Sequence, residues 1–96
     1  MILERALFAI KPGEGKAFEA AYAQARQLIE AAKGCHRAEM HAGIENPDNY
    51  LLLVWWDSVE DHMQGFRESQ AFQQWRSLLG PYFDRPPAME HYKEQL

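Results

Sequence analysis

The chain has no cluster of lysines and arginines, and its net charge is −4. Binding along a phosphate backbone needs such a cluster, so nucleic acid is not an expected partner. No apolar run approaches the ~20 residues a membrane-crossing helix needs. The longest, Tyr50 to Trp56, suits a buried strand. The first residues, Met1-Ile2-Leu3-Glu4-Arg5, lack a basic start followed by an apolar core, so no signal peptide is expected. Cysteine is nearly absent: Cys35 stands alone, has no partner for an internal disulfide and fits a reducing cytoplasm. There is no glycine-rich phosphate loop, since Gly13 and Gly15 do not follow the dinucleotide pattern, and no cofactor is expected. The histidines His36, His41 and His91 lack the tight spacings of zinc sites. Glu39 and His41, two apart on one strand face, are the nearest thing to a ligand pair, and no metal is expected.

What is present is ordinary globular composition, 47% hydrophobic and 25% charged, which argues against disorder. The 96 residues suffice for one domain, expected to run over 1–96. A chain this short buries little surface alone, which favours an oligomer.

Residues 2 to 10 alternate as a strand that is apolar on both faces, with Leu3, Leu7 and Ala9 on one and Ile2, Ala6, Phe8 and Ile10 on the other. Lys11 to Gly15 is a turn. Over 14–33, Phe18, Ala21, Tyr22, Ala25, Leu28, Ile29 and Ala32 recur at helical steps, with Lys33 in the last turn and Gly34 as the left-handed cap. Residues 35–44 read as a strand with Ala38, Met40, Ala42 and Ile44 on its apolar face. Tyr50 to Trp56 has no charged residue and belongs in the middle of the sheet. Ser58 can cap a helical stretch in which Val59, Met63 and Phe66 point inward with His62 beside them. Ser69 can cap a further helix, with Phe72, Trp75, Arg76 and Leu79 on one face, ending at Gly80-Pro81. Ala88 to Lys93 is a short edge strand.

The order is therefore β-α-β-β-α-β, an α+β, ferredoxin-like split β-α-β arrangement: an antiparallel four-stranded sheet with helices on one face. The strands are apolar on both sides, yet the helices cover one. The simplest cover for the second face is the sheet of an identical subunit, giving a homodimer by sheet-to-sheet packing.

Several stretches, taken in order, resemble one known family: Ala6-Leu7-Phe8-Ala9-Ile10-Lys11-Pro12-Gly13 leading to Phe18-Glu19-Ala20-Ala21; Tyr50 to Ser58 followed by Glu60-Asp61-His62; Phe66-Arg67-Glu68-Ser69 and Phe72; and Pro86-Pro87-Ala88-Met89-Glu90-His91-Tyr92. Together they resemble the antibiotic biosynthesis monooxygenase (ABM) family along essentially the whole chain. The resemblance implies a dimeric α/β barrel, in which two sheets pack face to face. It also implies an activity drawn from a varied set, which includes cofactor-independent monooxygenases of aromatic phenols and haem-degrading enzymes. The haem-degrading branch uses an Asn on the first strand, a Trp ending the third and a helical His beyond it. Trp56 matches the Trp, but the Asn position falls at about Ala6, and the His position at about Phe66, a turn past His62. Haem breakdown is therefore disfavoured.

His62 is the expected catalytic residue. A histidine with near-neutral pKa beside an aromatic element can take a proton from a phenol or orient it. Trp56, Phe66, Tyr22, Trp75 and Phe8 are the expected substrate-binding residues, each able to pack on an aromatic ring. Trp55, on the opposite strand face from Trp56, reads as packing. The charged stretches Glu60-Asp61 and Arg67-Glu68 read as solvated helix surface. Three readings follow: a cofactor-independent monooxygenase of a small aromatic, phenolic or quinol substrate; a non-catalytic module binding a small apolar molecule; and a dimerisation unit whose aromatic residues are only core.

Overall fold

The computed structural model describes residues 1–96. Strands β1 (Ile2–Ala9), β2 (Cys35–Ala42), β3 (Asn49–Trp56) and β4 (Ala88–Lys93) form one antiparallel sheet in the order β2-β3-β1-β4. Helix α1 (Gly15–Glu30) joins β1 to β2. A π-helical turn (Asp61–Phe66) and helix α2 (Gln70–Leu79) join β3 to β4. This is the expected α+β ferredoxin-like architecture, with β3 and β1 at the centre and β4 on an edge. No helix is long and apolar enough to cross a membrane.

The strand period of two, fixed by the register, sorts every side chain onto a face. Ile2 lies opposite Trp56, Glu4 opposite Val54 and His91, Ala6 opposite Leu52 and Met89, and Phe8 opposite Tyr50. These residues share the face that α1 and α2 cover. Phe18, Ile29, Leu52, Val54, Trp56 and Leu79 are fully buried there. Burying a side chain as large as Phe18 contributes roughly 2–3 kcal/mol. The opposite face carries Leu3, Arg5, Leu7, Arg37, Glu39, Leu51, Leu53, Trp55, Glu90 and Tyr92, with no element over it; Leu7 is 42% and Tyr92 44% exposed.

Several boundaries differ from expectation. Helix α1 stops at Glu30, so Lys33 lies outside it, and the left-handed Gly34 (φ 84°) turns the chain toward β2 instead of capping the helix. Strand β2 stops at Ala42, where Gly43 donates its N–H to Asn49 O at 2.7 Å and closes the hairpin. Ile44 is then thrown outward, 88% exposed. Ser58 and Ser69 do cap: Ser58 Oγ accepts from Asp61 N at 3.1 Å, and Ser69 Oγ from Phe72 N at 3.2 Å. Between those caps the chain is π-helical, with Arg67 N donating to His62 O, five residues back, at 2.9 Å. The wider turn makes His62 and Phe66 the inward pair, while Val59 is left exposed.

Candidate active site

Strand β1 places a glutamate among apolar neighbours. Glu4 shares the helix-side face with Ala6 and Phe8 and is 3% exposed. An ionised carboxylate in such a place costs several kcal/mol unless partners meet it. Three groups do so. Trp56, opposite Ile2 at the end of β3, donates its Nε1–H to Glu4 Oε1 at 2.9 Å. His62 Nε2 lies 3.3 Å from the same oxygen. The positive charge of Arg67 also favours the ionised form. Burial outweighs all of these and raises the Glu4 pKa to about 7.

His62 is held from three sides. Its ring stacks on Trp56 with centroids 5.2 Å apart, its Nδ1 is 2.8 Å from His91 Nε2, and its Nε2 faces Glu4. The residue is 3% exposed. Burial, then His91 and Arg67, lower its pKa to about 3, so near pH 7 it is a neutral imidazole. Strand β4 pairs His91 with Glu4 on the helix side of β1 and so delivers it to His62.

The hydrogen between the two imidazoles can sit on either ring. When His91 Nε2–H donates, His62 carries its own hydrogen on Nε2, toward the Glu4 carboxylate. When His62 Nδ1–H donates, its bare Nε2 faces the Glu4 carboxylic acid. Moving a proton between Glu4 and His91 through His62 interconverts the two when the half-buried His91 exchanges a proton with solvent at Nδ1. The cluster is thus a short line connecting a buried acid to the sheet edge.

Glu4 and His62 face a cavity of 310 Å³ between the sheet and the broken helix. Ala6, Phe8, Leu52, Phe66, Phe72, Trp75 and Met89 give it apolar and aromatic walls, and Arg67 and Arg76 stand beside Phe72. A chamber of this size accommodates a one- or two-ring ligand. Of the residues singled out in the sequence, Phe8, His62, Phe66 and Trp75 come together on its wall. Trp56 stands behind His62 and does not line the cavity. Tyr22 stands one ring further back, edge-on to Trp75 at 6.1 Å, with its hydroxyl buried and unpartnered.

Two groups were missed. Glu4 was signalled by parity, an acid in phase with Ile2, Ala6 and Phe8 on a buried face. Arg67, read as solvated surface, is exposed as expected and also lines the cavity. The residues considered for a metal are engaged otherwise. His41 Nε2 meets Glu39 Oε1 at 3.0 Å, Glu39 also pairs with Arg37, and His36 Nε2 meets Asp57 Oδ1 at 2.6 Å. No three His, Cys, Asp or Glu side chains converge on one point. In the buried cluster Glu4 and His91 meet opposite edges of the His62 ring.

Comparison with known proteins agrees with this architecture. The family model described as antibiotic biosynthesis monooxygenase matches residues 1–78. The chain is 37% identical over 94 residues to the uncharacterized protein YczJ of Bacillus subtilis (strain 168), covering 98% of this chain and 99% of that one. A crystal structure from Bordetella bronchiseptica, provisionally named an antibiotic biosynthesis monooxygenase, superposes with a TM-score of 0.95 at 44% identity, covering 99% of this chain and 97% of that one. SnoaB of Streptomyces nogalater, a cofactor-independent oxygenase solved in a mutant form, superposes with a TM-score of 0.83 at 12% identity, covering 99% and 93%; it shares the fold.

Proposed function

The chain belongs to the antibiotic biosynthesis monooxygenase family, and from that premise we propose that residues 1–96 form a single-domain, cofactor-independent monooxygenase acting on a small aromatic phenol or quinol. One observation carries the reading: a buried carboxyl, held near pKa 7, faces an aromatic-walled cavity. A base so poised is matched to removing a phenolic proton at neutral pH.

In this reading the ring lies against Phe8, Phe66 and Trp75, and its hydroxyl approaches Glu4. Glu4 takes the phenolic proton. His62 orients the carboxylate and passes the proton toward His91, and Trp56 fixes both from behind. Tyr22 supports Trp75. A histidine lowered to about pKa 3 is a poor resting base, which is why His62 orients and relays while Glu4 accepts. Arg67, on the cavity wall, stabilises the phenolate. The electron-rich phenolate then reduces dioxygen. One oxygen atom enters the ring, the other leaves as water, and the ring gives up four electrons to become the quinone, so phenol and O2 balance quinone and water with no external reductant.

The enzyme acts as a homodimer with the open sheet faces packed together. The exposed Leu7 and Tyr92, with Leu51, Leu53 and Trp55, supply the apolar contact, and the Arg5–Glu90 and Arg37–Glu39 pairs supply polar ones. Sedimentation should show a dimer that Leu53→Asp converts to monomer; a wild-type monomer would remove this interface. The lone free Cys35 suits the cytoplasm, where we place the protein.

The test is oxygen uptake across a panel of phenols and quinols, with Glu4→Gln and His62→Ala as variants. Glu4→Gln keeps the acceptor for Trp56 and removes the base, so turnover should fall on the order of 10²-fold or more. His62→Ala should fall less. Unchanged turnover in both variants would sink the assignment. Ligand-induced thermal stabilisation with no oxygen uptake would return the protein to a non-catalytic binding module.

A further inference from the structure

The six arginines divide cleanly. Arg5 pairs with Glu90, Arg26 with Glu30 and Arg37 with Glu39. Arg67, Arg76 and Arg85 have no carboxylate within ion-pair distance. Two of these stand at the cavity and the third, Arg85, in the groove beside it. Arg67 and Arg76 line the cavity, with guanidinium carbons 5.4 and 6.0 Å from the Phe72 ring centroid. Past Arg76 the cavity continues into a polar groove formed with Gln73, Ser77 and Arg85, and the two spaces share Arg76, Phe83, Pro86 and Pro87. No aspartate or glutamate lines that groove, and the only acid in the cavity is Glu4 at its inner end. In a protein of net charge −4, a cavity and adjoining groove lined by three cations without ion-pair partners and by one acid is a local reversal of sign.

Charge and polarity thus run along one axis: a proton acceptor at the bottom, aromatic walls between, guanidinium forks at the mouth. Guanidinium presents paired donors matching the two oxygens of a carboxylate, and stacked on Phe72 it loses little freedom in binding one. We infer that the ligand of this site is an aromatic acid, its ring in the cavity and its carboxylate held at the mouth by Arg76 and Arg85. Arg67, which lines the cavity and not the groove, serves the ring's own oxygen. The inference rests on the reading that the cavity takes an aromatic ligand. It adds a specificity that the apolar walls cannot supply.

Two probes of matched size separate the claims: 2-naphthylacetate and its neutral counterpart 2-(2-naphthyl)ethanol. Isothermal titration calorimetry of the full chain near pH 7.5 should find the acid bound about tenfold tighter or more, as charge-assisted hydrogen bonds give. The advantage should shrink as salt rises. Arg76→Gln with Arg85→Gln should abolish the preference by weakening binding of the acid. Circular dichroism reports that the variant is folded. Arg76→Lys, which keeps the charge and loses the fork, should fall between. Equal binding of acid and alcohol to the wild type would overturn the inference while leaving the aromatic cavity standing. A preference that survives the double substitution would overturn it too, by placing the charge readout elsewhere. If neither probe binds, the aromatic-ligand reading fails and takes the inference with it.

Discussion

The helix-covered face of the sheet has two ends that obey opposite rules. At one, Phe8, Phe18, Tyr50 and Phe83 pack ring on ring, with centroids 4.8 Å apart for Phe18 and Tyr50 and 5.1 Å for Phe8 and Phe83. The Tyr50 hydroxyl there donates to Glu19 at 2.6 Å and reaches toward the surface. At the other end, two steps of the same alternation along β1, Glu4, Trp56, His62 and His91 bury two ionisable groups almost completely. One strand, β1, serves both. The dry end contributes stability that the wet end uses to keep a carboxyl out of water, so damage to each should show in a different measurement.

The comparison breaks most sharply with Phe18→Ala at the dry end. Its ring is wholly buried, so the loss should be about 3–5 kcal/mol in a denaturant titration, with whatever activity survives in the folded fraction unchanged in its pH profile. A loss under ~1 kcal/mol would mean that the aromatic end is not the stabilising half.

Next in size is the pH dependence of stability, which belongs to the wet end. The Glu4 pKa is raised from 4.5 to about 7 on folding, so its contribution is present below pH 4.5 and lost as pH rises through 7. The His62 pKa is lowered from 6.5 to about 3, so its contribution is present above pH 6.5 and lost as pH falls toward 3. Between 4.5 and 6.5 the folded state has gained one proton and lost another, and the two slopes cancel. Stability should therefore be level across that window and fall on both sides, by up to about 1.4 kcal/mol per pH unit for each proton. Thermal melts of Glu4→Gln should lose the alkaline fall and the plateau, leaving stability that climbs steadily from pH 3 to 6.5. An identical profile in wild type and Glu4→Gln would show that Glu4 does not titrate as its burial requires.

The smallest effect should come from Tyr22→Phe, behind Trp75. Its hydroxyl is buried without a partner, so removing it should change stability by less than about 1 kcal/mol, in the favourable direction. A clear loss in thermal melts would reveal a partner for that hydroxyl.

Much of this was legible in the sequence. Alternation in 2–10, the uncharged run Tyr50–Trp56 and the serines Ser58 and Ser69 are local signals, and local signals placed the strands, the central β3 and both caps. His62, Phe66, Phe8 and Trp75, singled out in the sequence, line one cavity. What escaped depends on register between distant segments. Nothing near Glu4 in the chain announces Trp56, His62 or His91; they meet it only when β1 pairs with β3 and β4. Arg67 escaped for another reason. It is exposed, as read from the sequence, and exposure alone gives no sign that it also borders the cavity.

The π-helical turn sets how the scaffold can be retuned. A π-helical stretch holds one residue more than an α-helix needs to span the same path. Sliding the extra residue one place along the segment changes whether Asp61, His62 or Met63 is offered to the chamber, while the sheet and its buried rings stay where they are. A single-residue deletion between Asp61 and Phe66 is therefore a change of chemistry before it is a change of shape.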